Sequence, residues 1–281
     1  VVFGAQEFPS NRVVWEALAP MGVEPRAADL YAGASPEDAL LARMDGRTRL
    51  LAVSAVQYAT GLRMDLERLA RECRARGVLL CVDAIQQLGV LPLDLERVPA
   101  DFLMADGHKW LLAPEGLGIF YCRAELRETL RLSQYGWHMV EHLGDFDRKD
   151  WRPAASARRF ECGSPNMTLV HALDASLALF AEVGLEAVSG NVLKNTALLV
   201  DWIENDPDLE LLSPGAPERR SGIVTFRVRG VPTEGLYQGL MDSGVLCAHR
   251  GGGVRLSPHF YTATGALERA LERARAYAAS A

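Results

Sequence analysis

Several features that would have narrowed the class at once are missing. The five cysteines (Cys73, Cys81, Cys122, Cys162 and Cys247) are scattered, with no C-x-x-C pair and no zinc-ligand spacing. That argues against a disulfide framework and a structural zinc. Lys and Arg total 30 against 36 Asp and Glu, a formal charge of −6. No basic stripe offsets it, so nucleic acid is not the expected partner. No apolar run approaches the roughly 20 residues of a membrane span, and no secretory leader is visible at Val1. An odd number of unpaired thiols, three of them inside apolar patterns, fits a reducing cytoplasm. What remains is an ordinary globular composition, 49% hydrophobic and 23% charged over 281 residues. That is enough for one large domain and a smaller one.

The chemistry concentrates in Asp101 to Tyr121. An apolar strand-like run, Phe102 to Ala105, leads into Asp106-Gly107-His108-Lys109-Trp110, then a Pro114/Gly116/Gly118 loop and a second run, Ile119 to Tyr121. A lysine at a strand end beside an aromatic ring is set to lose part of its hydration. Burial lowers an ammonium pKa, and a neutral amine can form a Schiff base. On spacing alone a surface lysine is an equal alternative. Upstream, Val78 to Val82 is an unbroken apolar run, as in a strand buried on both faces of a parallel sheet. It delivers Asp83 to the carboxyl edge, where open α/β sheets bind ligands. A carboxylate there needs a partner, and a pyridinium nitrogen is one; a helix N-cap role is the alternative. Gln86, a helical turn on, is placed to donate to a ring hydroxyl.

Together, Asp83-Ala84-Ile85-Gln86 and Gly107-His108-Lys109-Trp110-Leu111-Leu112 with Pro114, Gly116 and Gly118 resemble the class V aminotransferases. That family includes cysteine desulfurases, selenocysteine lyases, isopenicillin-N-epimerase-like enzymes and kynureninases. The resemblance runs from Glu7-Phe8-Pro9-Ser10-Asn11 to Arg255-Leu256-Ser257-Pro258-His259-Phe260-Tyr261. It implies the fold type I architecture of pyridoxal phosphate (PLP) enzymes: a large, doubly wound, mostly parallel α/β domain over 1–185 and a small C-terminal α+β domain over 186–281. It also implies PLP as cofactor, an α-amino acid as substrate and a homodimer with shared sites. By resemblance, Lys109 carries the cofactor as a Schiff base and moves the Cα proton. Asp83 pairs with the ring nitrogen, Phe8 stacks on the ring, and Gln86 and His108 orient it. Arg255 grips the substrate carboxylate, a bidentate task suited to guanidinium. The Arg159-Phe160-Glu161-Cys162-Gly163-Ser164-Pro165 segment implies that Ser164 reaches the phosphate of a neighbouring subunit. Phe8 as a core ring, Arg255 as a surface strand residue and Ser164 as a plain turn residue are the alternatives.

Transaminase, epimerase and β-lyase remain open at this stage. A desulfurase would use Cys247, which lies upstream of Arg255 as the nucleophilic cysteine does in desulfurases; a packed thiol is the alternative. Two departures from the family pattern stand out. Asp106 occupies a position where a small phosphate-binding residue is common, and the Gly/Ser/Thr phosphate turn that precedes this region in the family does not open the chain. They point to an N-terminally incomplete large domain, or to a family member serving as a non-catalytic dimeric scaffold.

Along the chain, helices are expected at 36–45, over Met64 to Arg76 with Asp65 as cap and Gly77 as stop, and over Leu169 to Val183. Further strands are expected over Thr48 to Val56, Ile223 to Val228, Val245 to His249 and Val254 to Ser257. Residues 131–160, rich in aromatics and glycine, read as an ordered irregular loop lining a pocket. His138, Glu141 and His142 match the H-x-x-E-H pattern, but glycines flank it and no helical run surrounds it, so a coincidence is expected. Tyr58 follows the Thr48 to Val56 strand, where it either reaches the cofactor or packs.

Overall fold

The structure, a computed structural model, describes residues 1–280. In chain order the elements are β1 (Val2–Gly4), α1 (Val13–Glu16), β2 (Arg26–Ala28), α2 (Pro36–Ala42), β3 (Leu50–Ser54), α3 (Leu66–Arg76), β4 (Leu79–Asp83), β5 (Phe102–Asp106) and β6 (Gly118–Cys122). There follow α4 (Met167–Val183), α5 (Leu185–Glu204), β7 (Leu209–Leu211), β8 (Val224–Val228), α6 (Thr233–Asp242), β9 (Ala248–Arg250), β10 (Gly253–Leu256) and α7 (Thr264–Ser280).

The first six strands form one sheet in the order β2-β1-β3-β4-β5-β6. All neighbours are parallel except β5 and β6. The apolar runs are buried on both faces because alternate residues serve different layers. Leu51, Leu80 and Leu103 pack with Leu40 and Leu69 on one side, while Ala52, Cys81 and Phe102 pack with Phe3 and Cys122 on the other. Helix α3 forms as its periodicity predicts. The Asp65 carboxylate accepts from Arg68 N at 2.9 Å, Leu66, Leu69, Ala70 and Cys73 are buried, and Gly77 ends the helix at φ 65°. The parallel register aligns the carboxyl ends, with Ser54 opposite Asp83 and Asp83 opposite Met104.

The last four strands form an antiparallel sheet in the order β7-β8-β10-β9. It has its own core: Leu199 and Ile203 of α5, Phe226, Leu236 and Leu240 of α6, and Leu271 of α7. Helices α4 and α5 meet at 82° about Gly184 (φ 85°). Among the described residues no single helix is long and apolar enough to cross a membrane.

Two details differ from expectation. The strand expected over Val245 to His249 begins only at Ala248. Gly244 turns left-handed (φ 83°) and Val245 N returns to Leu240 O at 2.9 Å, so this stretch closes α6 instead. The three-residue edge strands β2 and β7 carry too short a pattern to be read from sequence.

Candidate active site

The carboxyl ends of four strands of the large sheet and one strand of the small sheet carry the candidate groups. The connection after β1 brings Glu7 and Phe8, the one after β3 brings Gln57 and Tyr58, and β4 ends on Asp83. The turn after β5 presents Lys109, and β10 of the small sheet adds Arg255.

The lysine turn is held from four sides. Trp110 is buried and its indole donates to the Gln86 carbonyl at 2.8 Å. His259 receives the Phe260 amide on Nδ1 at 2.9 Å, which fixes the proton on Nε2, and that nitrogen donates to Trp110 O at 3.0 Å. Burial lowers the pKa of His259 against the pull of the Trp110 carbonyl, so the ring stays neutral. Ser176 of α4 donates to Leu111 O, and Ala113 N returns to Gly107 O at 2.9 Å. Within this frame Leu112 adopts φ 58°, the one positive φ outside glycine among the described residues. Such a conformation persists only where the surroundings enforce it.

Lys109 Nζ lies 5.6 Å from the centroid of the Phe8 ring, whose edge meets Tyr58 at 5.1 Å between centroids. Phe8 is 39% exposed, which leaves ring surface for a ligand. Burial lowers the pKa of Lys109, opposed by the charge of Asp83 and assisted by that of Arg255. Burial raises that of Asp83 against the Ile85 amide, which donates to it at 3.0 Å, and against Lys109. Burial likewise lowers that of Arg255. The Arg255 guanidinium donates to Tyr58 O, while its buried Nε has no partner. Among the described residues none of these three charges has an ion-pair partner. Leaving buried charges uncompensated is costly, so the cluster is built to meet complementary groups from outside the chain.

The predicted residues are not all equivalent. Lys109, Asp83, Phe8 and Arg255 converge. Gln86 spends its carbonyl on Trp110, leaving its amide nitrogen as the group able to face a ligand. His108 turns toward Asp106, with Nδ1 3.9 Å from Oδ2, and Asp106 leans over Gly118, where an added Cβ would sit 3.1 Å from its Oδ1. Ser164 is exposed, outside this cluster. Cys247 packs against the small-sheet core and burial raises its thiol pKa, the opposite of what a thiolate nucleophile needs. His138 sits on a single 3₁₀ turn, 3.6 Å from Glu161, while His142 lies 3.4 Å from Glu141. Among the described residues no three metal-ligating groups converge. The aromatic segment lines a cavity of about 390 Å³ that includes Trp137, Phe146 and Trp151, as its composition predicts.

Two groups escaped the sequence reading. Glu7 is 3% exposed and accepts from Ser54 N (2.9 Å), Ser54 Oγ, Gln57 Nε2 (3.0 Å) and Asn11 Nδ2 (3.1 Å). Burial raises its pKa despite these donors. The network ties the Phe8 turn to the end of β3. His259 is the second. Neither stands out by spacing, because their partners are distant in sequence.

The site fits pyridoxal phosphate. Asp83 is oriented by a backbone amide and forms no ion pair, Phe8 offers a ring face, Lys109 is an amine shifted toward its neutral form, and Arg255 awaits an anion. Comparison with known proteins agrees. The family model for Aminotransferase class-V matches residues 1–264. Isopenicillin N epimerase of Amycolatopsis lactamdurans is 32% identical over 97% of this chain and 72% of its own length. A cysteine desulfurase of Cronobacter sakazakii is 29% identical over 81% of this chain and 55% of its own length. Among solved structures, apo cysteine desulfurase from Thermococcus onnurineus NA1 superposes with TM-score 0.85 at 22% identity, covering 99% of this chain and 72% of that one. The cystine C-S lyase C-DES, in complex with its product cysteine persulfide, gives TM-score 0.88 at 22% identity over 97% and 74%. The chain belongs to the class V aminotransferase family of PLP-dependent enzymes.

Proposed function

We propose that this chain binds PLP at Lys109 and moves the Cα proton of an α-amino acid. The observation that carries this reading is the set of three half-buried charges around the Phe8 ring, Lys109, Asp83 and Arg255, none of which forms an ion pair among the described residues. Each matches one feature of such a complex. Asp83 would pair with the ring nitrogen and favour its protonated form. Phe8 would cover a ring face, and Gln86 would orient the ring through its amide nitrogen, with His108 beside it. Arg255 takes the substrate carboxylate while its other arm holds the Tyr58 carbonyl. When bound, PLP supplies the electron sink that lets a Cα proton leave. Lys109 Nζ, neutral at lower pH than an ordinary lysine, accepts and returns that proton.

Transamination, epimerisation and β-elimination share this proton step. Cysteine desulfurases are among the relatives, so sulfur chemistry stays an alternative, but the partly buried Cys247 with its raised thiol pKa does not favour that cysteine as the nucleophile. We further propose a division into domains 1–185 and 186–281, favoured by the two sheets with separate cores. A homodimer is favoured by the exposed Val13, Val14, Phe120 and Met167, with Ser164 serving the partner's phosphate. A cytoplasmic location fits the five free cysteines.

The test is exchange of the Cα hydrogen in D₂O, followed by proton NMR across a panel of amino acids with PLP-loaded protein. Exchange with at least one of them, lost about 10²- to 10⁴-fold in Lys109→Ala, is expected. No exchange with any amino acid would contradict the reading.

A further inference from the structure

Glu7 is buried, fully hydrogen-bonded and closed to a substrate. It is 3% exposed, and four contacts converge on its two oxygens. Oε1 takes Ser54 N (2.9 Å) and Gln57 Nε2 (3.0 Å), while Oε2 takes Ser54 Oγ and Asn11 Nδ2 (3.1 Å). These partners are neutral, and no cation stands beside the carboxyl. An apolar side chain of that size would be an easier filling for a core. What the carboxyl does that an apolar group cannot is join separate pieces of chain. Ser54 ends β3, Gln57 opens the connection that carries Tyr58, and Asn11 closes the 3₁₀ turn Pro9–Asn11 that follows Phe8. Asn11 N also donates to Phe8 O at 2.8 Å. The Trp15 indole donates to Asn11 Oδ1 at 3.3 Å, which sets the Asn11 nitrogen toward Glu7.

Phe8 is thus gripped along the chain on both sides, by the Glu7 carboxyl before it and by Asn11 after it. Its ring has no such enclosure. It is 39% exposed, meets Tyr58 at 79° and 5.1 Å, and lies 5.6 Å from Lys109 Nζ. A half-exposed ring keeps one orientation when the groups behind it are locked. The same carboxyl reaches Gln57, next to Tyr58, so it links both connections that carry the T-shaped ring pair. Ser54 also lies opposite Asp83 in the sheet register, which places the clamp on the strand beside the ring-nitrogen partner. We propose that Glu7 is a positioning residue for the cofactor, acting through Phe8 by holding that ring at the angle at which it stacks on PLP. This role presupposes PLP at Lys109.

A double-mutant cycle on PLP binding tests this role. Each protein is titrated with PLP through the visible band, and the circular dichroism of that band at saturation reports how the bound ring is held. Glu7→Ala should raise the Kd about ten-fold and weaken the dichroism, whereas in a Phe8→Leu background the same substitution should change the Kd by no more than about two-fold. Glu7→Gln keeps the size and one acceptor oxygen, and should restore part of both signals. Arg219→Ala, destabilised through the Glu37 pair, should keep the native dichroism and so separates positioning from lost stability. An undiminished loss in the Phe8→Leu background, native binding by Glu7→Ala, or the same change in Arg219→Ala would overturn the role. If Glu7→Ala does not fold, the Glu7→Gln cycle decides by the same criterion. A native band indifferent to both Glu7 substitutions sinks the positioning role alone. A native protein that gives no band with PLP sinks the Lys109 reading and the positioning role together.

Discussion

Lys109 owes its chemistry to partial burial, and the same burial has a thermodynamic sign. Its folded-state pKa lies below the ordinary value of 10.5. Between the two, the unfolded chain binds more protons than the folded one, so stability rises with pH through that window. Lys109→Met should therefore raise the Tm at neutral pH, with the gain shrinking as the pH climbs toward 10.5. A gain independent of pH would mean that the lysine is not held against its charge. Arg255 is the complementary case, a cation awaiting an anion. Arg255→Ala should raise KM for the amino acid about 10- to 100-fold, the worth of charge-assisted hydrogen bonds. Steady-state kinetics with the substrate found by exchange would show it. Lys109, Asp83, Phe8 and Arg255 were visible in the sequence because each ends a recognisable element or stands in a family motif. Glu7, Gln57 and His259 act through partners far away in the chain, and no local pattern reports that.

The elements around Lys109 are shaped to hold one turn. Trp110 fits because Gly89 (φ 89°) and Gly222 leave room: an added Cβ would lie 2.3 Å from Trp110 O at Gly89 and 2.6 Å from the indole at Gly222. Gly89→Ala meets backbone and a disfavoured φ together, so the turn must move. Loss of most PLP binding, with at least about 1–3 kcal/mol of stability, is expected in a denaturant melt and a cofactor titration. The connection after β3 is held in a different way. Carbonyls 58 to 61 each receive a hydroxyl or guanidinium from the small-sheet region: Arg255 to Tyr58, Thr225 to Ala59 (2.6 Å), Ser213 to Thr60 (2.6 Å) and Ser221 to Gly61 (2.8 Å). Thr225→Val keeps the shape but orphans the Ala59 carbonyl, and should cost about 1–3 kcal/mol in urea unfolding. The helices and buried strands were legible from period and apolar runs. The lacing of this connection was not, because a serine or threonine in a strand gives no sign of a distant carbonyl.

At the scale of the whole molecule, the two sheets are also joined by charge. Glu37 of α2 is fully buried and accepts both arms of Arg219, at 2.6 and 2.8 Å, and the Asp65 amide at 2.7 Å. Burial pushes the Glu37 carboxyl up, but Arg219 and the Asp65 amide outweigh it and hold the pKa below the ordinary 4.5. With the folded value depressed, the stabilisation is present above that pH and fades as pH falls through the folded value. Arg219→Ala leaves the carboxylate buried alone and should cost about 3–5 kcal/mol, measured by chemical denaturation at neutral pH. The difference from the native protein should narrow on acidification. The order of elements and the parallel sheet were legible from alternation of strand and helix, whereas this pair joins residues in separate halves of the chain that no pattern connects.

Everything proposed for this site depends on Lys109 holding the cofactor. The sequence contains only three lysines, Lys109, Lys149 and Lys194, so borohydride reduction with PLP followed by peptide mapping gives a clean answer. A visible band is expected on adding PLP and, after reduction, one labelled peptide containing Lys109, absent in Lys109→Ala. Label at Lys149 or Lys194, or none, would contradict it.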